Sequence, residues 1–458
     1  MKLWPFLKSK MKNHTMQEVS DGEKTLSYEK LMAFADHFSK KLKGYKCCAI
    51  ICRSELSAGI ALLSCFAAEV TAVPLSQRYG DLHCQKILDT ISPDVVITDA
   101  DDDLQIVSME ECLYESPKTH PTLIMCTSGT TGAPKGIMLS DSNIITNISD
   151  ITSYFGVNST DTILISRPLY HCAVLTGEFL TALVKGAKIR FYSGVFNPAI
   201  ILKMIDDYKI TALCGTPTLL SLMSRSKRIT NTNCLRHICI SGECMSLEIG
   251  KVIASAFPNA DIYHLYGLTE ACPRVAYLPP ILFNEYADCV GIPLGSVSLK
   301  ILSLSGELVK NNEIGMLWVK GDNVMIGYYN DPKKTSEVMK DGWLCTGDLA
   351  TFNDKGLLMI KGRADDLIIK AGMNIYPQEI ESALKADPRV HELYVYGENN
   401  LNGVQIVLDI AGDFSDISEI RELCIASLPS YQIPTKINWM KELPKNGSGK
   451  IMRRCNYV

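Results

Sequence analysis

The sequence predicts an α/β protein. A large N-terminal part has parallel sheets covered by helices, followed by a small β-barrel-like subdomain and a small α+β C-terminal part. Three observations predict it. Between residues 47 and 266, short apolar runs alternate with helical periodicities, as in a parallel sheet covered on both faces. From residue 284, Gly, Asn and Asp turns separate short alternating runs, which reads as antiparallel β structure. After residues 362–366, about a hundred residues carry their own mixture of strands and helices, a size typical of a small domain. The 458 residues, 47% hydrophobic and 21% charged, have the composition of an ordinary globular protein.

The elements follow in order. Residues 28–43 place Leu31, Ala35, Phe38 and Leu42 on one helical face. The run CCAIIC at 47–52 is a buried strand, and Ser54 or Ser57 caps a helix running to Ala68. A strand at 71–75, a helix at 80–90 and a strand at 95–98 continue the alternation. Beyond the Gly-rich stretch at 127–136 the expected helices are 140–155, 176–185, 197–207, 216–223 and 246–257. The expected strands are 162–166, 188–191, 212–214, 237–241 and 261–266. Short strands are then expected at 298–302, 316–320, 349–352 and 357–361. The last segment reads as strands at 366–370, 390–396 and 404–410, with helices at 377–386 and 417–427.

The net charge of −4 gives no indication of a nucleic-acid partner. The 17 cysteines are scattered without metal-ligand spacing, and Cys47, Cys48, Cys65 and Cys239 lie in apolar runs. Buried, reduced thiols and a cytoplasmic location are therefore expected. The apolar run 58–68 is too short to span a bilayer. The N-terminal segment MKLWPFLKSKMKN lacks the apolar core and cleavage site of a signal peptide, so a disordered tail is expected, with a weak membrane-surface contact as the alternative.

The chemistry concentrates in TSGTTGAPKG at 127–136, which packs hydroxyls, three glycines and a lysine into ten positions. An apolar run precedes it and a helical pattern follows, so strand, loop and helix are expected to offer N–H groups to phosphate oxygens. Gly136 after Lys135 sets the stretch apart from a Walker A loop. Two further loops lie at expected strand ends, SGECM at 241–245 and YGLTE at 266–270.

Together with TGD at 346–348, GRADD at 362–366 and NGSGK at 446–450, these motifs resemble the adenylate-forming superfamily, in the family order, from Leu26 to Arg453. The resemblance implies two steps. A carboxylate attacks the α-phosphorus of ATP and releases pyrophosphate; a pantetheine thiol then displaces AMP. It implies ATP, Mg²⁺ and coenzyme A, or a carrier-protein phosphopantetheine, as cofactors. It implies a domain of residues 1–363 for the acid and ATP sites, and a mobile domain of residues 364–458.

By the same resemblance Thr127, Ser128, Gly129, Thr130, Thr131, Gly132 and Lys135 form the β/γ-phosphate cradle. Glu270 is the Mg²⁺ ligand, in keeping with one carboxylate plus phosphate oxygens, and Thr269 meets the α-phosphate. Tyr266 and Gly267 belong to the same ATP site. Asp348 accepts the ribose hydroxyls, Arg363 contacts the ribose, and Gly242 and Glu243 belong to the adenine loop. Lys450 is the catalytic lysine delivered by the mobile domain, Asp365 the hinge, and Gly372 a residue of the thiol tunnel. Asn374 stands where some members carry a phosphate-binding arginine, so that contact is not expected here.

The acid pocket is expected between PLYHCAVLTG at 168–177 and the residues around YGLTEACP. No aspartate stands in the first segment to hold an α-ammonium, which disfavours an amino acid. His171 resembles the histidine that flanks the acid in acyl-CoA synthetases, and Cys172, Ala173, Val174 and Leu175 suit a fatty or aryl carboxylic acid. GMNIYPQEIE at 372–381 tilts the acceptor toward coenzyme A. The alternatives are loading of a carrier protein in trans and a catalytically silent nucleotide- or acyl-binding relative. The joint presence of Glu270, Asp348, Arg363 and Lys450 argues against the silent relative.

Overall fold

Strands buried on both faces pair in parallel, and the apolar runs of the N-terminal part do so. The computed structural model of the chain describes residues 1–76, 80–100, 103–109, 114–117, 119–128, 134–194, 197–226, 232–303, 305–370, 373–400, 403–444 and 451. It contains a nine-stranded and a seven-stranded sheet. In the first, six adjacent strands run parallel, among them Asp261–Gly267. In the second, four do, among them Leu123–Ser128. The antiparallel runs form a third sheet of Val297–Leu302, Gly315–Gly321, Met339–Lys340, Trp343–Phe352 and Leu358–Arg363. The C-terminal segment packs Ile368, Ile375, Ile380, Leu384 and Leu408 into a core of its own. No helix among the described residues is long and apolar enough to cross a membrane.

Helix starts obey local chemistry. The Ser54 hydroxyl accepts from the Leu56 and Ser57 amides, and Asn197, Thr216 and Ser246 cap their helices in the same way. Four expectations need correction. First, the segment after the Gly-rich stretch is a strand, Pro134–Leu139, which returns antiparallel to Leu123–Ser128 with Lys135 opposite Thr127. The run Ile137–Leu139 satisfies its backbone against Leu123–Met125, and the helix starts only after Ser140, whose capping box with Asn143 marks the entry. The described ends of the stretch, residues 127–128 and 134–136, thus pair as strands and lie away from the helix N-terminus. Second, 176–185 is not one regular helix, because a π-helix, Leu175–Leu180, precedes Thr181–Lys185. Third, Asp103–Ser108 and Lys436–Met440 are additional strands.

Fourth, the N-terminus is ordered. Leu3–Met11 is a helix that buries Leu3, Trp4, Phe6, Leu7 and Met11. The Trp4 indole donates to Asp36 at 2.9 Å, and Lys8 pairs with the same carboxylate. The lysines keep their charged ends outward while the apolar residues pack inward, which disguises an amphipathic helix in so short a segment. Leu7→Ala is expected to cost about 2–5 kcal/mol in denaturant unfolding. A loss below about 1 kcal/mol would mean that the helix is not part of the core.

Candidate active site

Strand Asp261–Gly267 ends in a reversal that demands glycine. A Cβ at Gly267 would lie 1.9 Å from the Pro273 carbonyl oxygen, and the Leu268 amide closes the turn onto that oxygen at 2.9 Å. Thr269 and Glu270 follow in the short helical turn Thr269–Ala271, at the carboxyl end of a parallel strand where ligands bind in such sheets.

The last turns of that strand reach the third sheet. The Tyr266 hydroxyl donates to Asp348 Oδ2. Asp348 stands opposite Arg363 in the pairing of Trp343–Phe352 with Leu358–Arg363. Arg363 Nη1 lies 3.3 Å from Asp348 Oδ1 and donates to the Thr346 carbonyl at 2.9 Å. Gly347 has φ of +74°, and a Cβ there would come within 2.7 Å of Arg363 Nη2. Asp348 is 9% exposed. Burial pushes its carboxyl above the usual carboxylate range, against the pull of Arg363 and Tyr266. Burial also opposes the Arg363 charge, but Asp348 and Asp365 outweigh it and raise that guanidinium.

Glu270 connects this group to the Gly-rich hairpin. Its Oε1 accepts from the Tyr328 hydroxyl at 3.0 Å. Tyr328 belongs to Gly327–Tyr328, which pairs with Pro134–Leu139, and Lys135 Nζ lies 5.9 Å from the Tyr328 ring centre. Burial and the neighbouring Lys334 ammonium hold Lys135 below the ordinary lysine range, with Glu270 pulling the other way. Arg363 also acts on Lys135 and Tyr328, and Glu270 on Asp348. Tyr266, Glu270, Asp348, Arg363 and Lys135 therefore share one electrostatic neighbourhood. Tyr328 and Lys334 were not singled out in the sequence; the dense GYYNDPKK run was their only signal.

The other candidates lie as follows. Gly242 and Glu243 are exposed, and Glu243 Oε2 accepts from the Thr218 hydroxyl at 2.5 Å and the Thr218 amide at 3.2 Å. That side chain ties its loop to the helix Pro217–Ser224. His171 is half-buried ahead of the short helix Cys172–Val174, its ring 4.2 Å from that of Tyr170. Asp365 Oδ2 lies 3.9 Å from Arg363 Nη2. Ser128 is described by its backbone, which pairs with Pro134. Gly129, Thr130, Thr131, Gly132, Gly372 and Lys450 lie outside the described residues.

The AMP-binding enzyme family matches residues 8–329, and the AMP-binding enzyme C-terminal domain matches residues 379–450. The chain belongs to the AMP-binding enzyme family. Feruloyl-CoA synthase from an Amycolatopsis species is 31% identical over 339 residues, covering 72% of this chain and 68% of that protein. The long-chain-fatty-acid–CoA ligase of Haemophilus influenzae is 32% identical over 343 residues, covering 72% of this chain and 60% of that protein. The o-succinylbenzoate CoA synthetase of Bacillus subtilis, solved with its acyl-adenylate intermediate, is 25% identical with a TM-score of 0.86, covering 100% of this chain and 98% of that one. The same enzyme, solved with ATP and a magnesium ion, gives 26% and 0.84, covering 97% of this chain and 98% of that one. This bears out the α/β fold and the reading as an adenylate-forming enzyme of the acyl-CoA ligase type.

Glu270 supplies a single hard oxygen donor group, and no cluster of three or more His, Cys, Asp or Glu among the described residues could hold a metal ion alone. A Mg²⁺ at Glu270 would take its remaining ligands from phosphate and water, its usual mode of binding. Asp348 tests the nucleotide end. A buried carboxyl with a raised pKa contributes stability below the usual aspartate range and loses it as pH rises through the folded-state value. At neutral pH, Asp348→Asn is expected to weaken AMP binding in calorimetry by about tenfold or more. Unchanged AMP affinity would remove Asp348 from the nucleotide site.

Proposed function

We propose that the chain activates a carboxylic acid at the expense of ATP and transfers the acyl group to coenzyme A. The carrying observation is the group Tyr266–Asp348–Arg363, set in one field with Glu270 and Lys135. Asp348 offers two acceptor oxygens to the ribose hydroxyls, and Arg363 pulls against the burial that disfavours its charge. Thr127 and Lys135, opposite one another on the hairpin, hold the β- and γ-phosphates together with Ser128, Gly129, Thr130, Thr131 and Gly132. Gly242, Glu243 and Gly267 shape the adenine side. Thr269 donates to the α-phosphate, and Glu270 anchors Mg²⁺, which when bound neutralises phosphate charge.

The acid's carboxylate, flanked by His171, attacks the α-phosphorus. An O–P bond forms, the bond to the β-phosphate oxygen breaks, and pyrophosphate leaves. Lys450 supplies charge to both reacting groups, delivered by a domain of residues 364–458 that turns about Asp365. The separate core of that segment supports its treatment as a domain apart from residues 1–363. After rotation the thiol passes Gly372, attacks the acyl carbonyl and expels AMP. A fatty or aryl acid is favoured because Cys172, Val174 and Leu175 are buried on the acid side, and because the relatives named above include both kinds of ligase. Fifteen described cysteines are free, which supports a reducing, cytoplasmic setting. Coenzyme A is favoured over a carrier protein on the names of those relatives.

Acid-dependent exchange of pyrophosphate into ATP, run with Mg²⁺ and a panel of fatty, aryl and amino acids, tests this. Exchange with one acid class is expected; exchange with amino acids alone would contradict the pocket reading. Lys450→Ala should slow exchange by about 100-fold or more while sparing thiol transfer from a supplied acyl-adenylate. Wild-type rates in both half-reactions would remove Lys450 from the mechanism.

A further inference from the structure

The acid side of the site carries charge that the chemistry above does not use. Arg274 follows the Glu270 turn by four residues and is 2% exposed. Its backbone is pinned: the amide donates to Asn147 Oδ1 at 3.2 Å, and the carbonyl accepts from Asn147 and Asn323 at 2.8 and 3.0 Å. Its guanidinium is not. The buried Nε has no hydrogen-bond partner, and among the described residues no carboxylate forms an ion pair with Arg274.

The Nε–Nη2 edge faces Gly177, in the π-helix that follows His171 and Cys172. A Cβ on Gly177 would lie 3.1 Å from Nη2 and 3.3 Å from Nε, so only a glycine lets the π-helix pass this close to that edge. π-Helical turns of this kind often mark functional sites. The next residue, Glu178, is fully buried and spends its ion pair on Arg167, at 2.6 Å from Nη2. Arg274 influences Glu178 only through space. Arg167, whose side chain is 19% exposed, and the buried Arg274 thus stand near one carboxylate, whose second oxygen, Oε2, has no hydrogen-bond partner. A buried cation with unfilled donors is costly until an anion joins it.

From this we infer that the acid activated here carries a second carboxylate, received side-on by the Nε–Nη2 edge of Arg274 across Gly177. That edge matches a carboxylate with two parallel hydrogen bonds. The apolar residues Cys172, Val174 and Leu175 then cover the stretch between the two carboxylates. The inference rests on the acid-activation reading above.

Matched acids test it on the purified full chain by ATP–pyrophosphate exchange. Succinate, adipate and sebacate are each paired with the monocarboxylate of equal carbon count, and phthalate and terephthalate with the corresponding methylbenzoates. The best dicarboxylate is expected to exceed its partner in kcat/KM by about 100-fold or more, as for a site whose buried donors are left empty by the wrong substrate. Arg274→Met should bring that ratio close to one, chiefly by raising KM for the dicarboxylate. A wild-type ratio within about threefold, or exchange with the monocarboxylates alone, overturns the inference and leaves acid activation standing. A ratio that survives Arg274→Met assigns the second carboxylate elsewhere and also overturns it. Absence of exchange with every acid overturns the acid-activation reading itself, and this inference with it.

Discussion

A carboxyl group buried beside a single guanidinium is the constraint on which the site depends. Asp348 loses hydration on folding, and only Arg363 and the Tyr266 hydroxyl offset that loss. Each partner is set by a different part of the fold. Arg363 arrives by strand register, Tyr266 by the end of a parallel strand in the nine-stranded sheet. Gly347 keeps the space that the guanidinium needs. The pair therefore couples the nine-stranded sheet to the antiparallel one at the point where the nucleotide is proposed to lie. A slip of one residue in the hairpin would turn Arg363 to the other face and leave the carboxylate without its cation.

The rest of the site follows from the same balance of charge. Lys135 feels Lys334, Glu270 and Arg363, and Asp348 feels Arg363 and Glu270. Two ammonium groups close enough to depress one of them are unfavourable neighbours until an anion lies between them, which suits a triphosphate. Tyr328 links the two halves, with its hydroxyl on Glu270 and its ring near Lys135. The acid side repeats the pattern in a more buried form, with Arg167, Glu178 and Arg274. Charge is placed where the ligands are expected to bring the opposite sign.

Much of the fold was legible because local chemistry and packing agree. Ser54, Asn197, Thr216 and Ser246 cap helices where periodicity placed their starts, and CCAIIC reads as a buried strand because it is one. The strand Pro134–Leu139 was missed because a Gly-rich loop before a helix suggests a phosphate-binding helix start. The pairing of Ile137 with Met125 is a non-local fact that no window shows. The helix Leu3–Met11 was missed because its lysines hide a short apolar stripe whose partners, such as Asp36, lie far along the chain. At the site, motif residues such as Glu270 and Asp348 were legible as single positions. The Tyr328–Glu270 bond and the unpartnered Nε of Arg274 depend on how separate strands and a π-turn meet, which sequence spacing does not encode.

The most direct measurement follows the oxygen. An acid that supports exchange is labelled with ¹⁸O in its carboxylate and incubated with the protein, ATP, Mg²⁺ and coenzyme A, and the products are analysed by mass spectrometry. Attack of the carboxylate on the α-phosphorus, followed by thiol displacement, leaves one labelled oxygen in AMP at each turnover, and that is the expected result. Label in orthophosphate with formation of ADP, or AMP without label, would contradict activation through an acyl-adenylate.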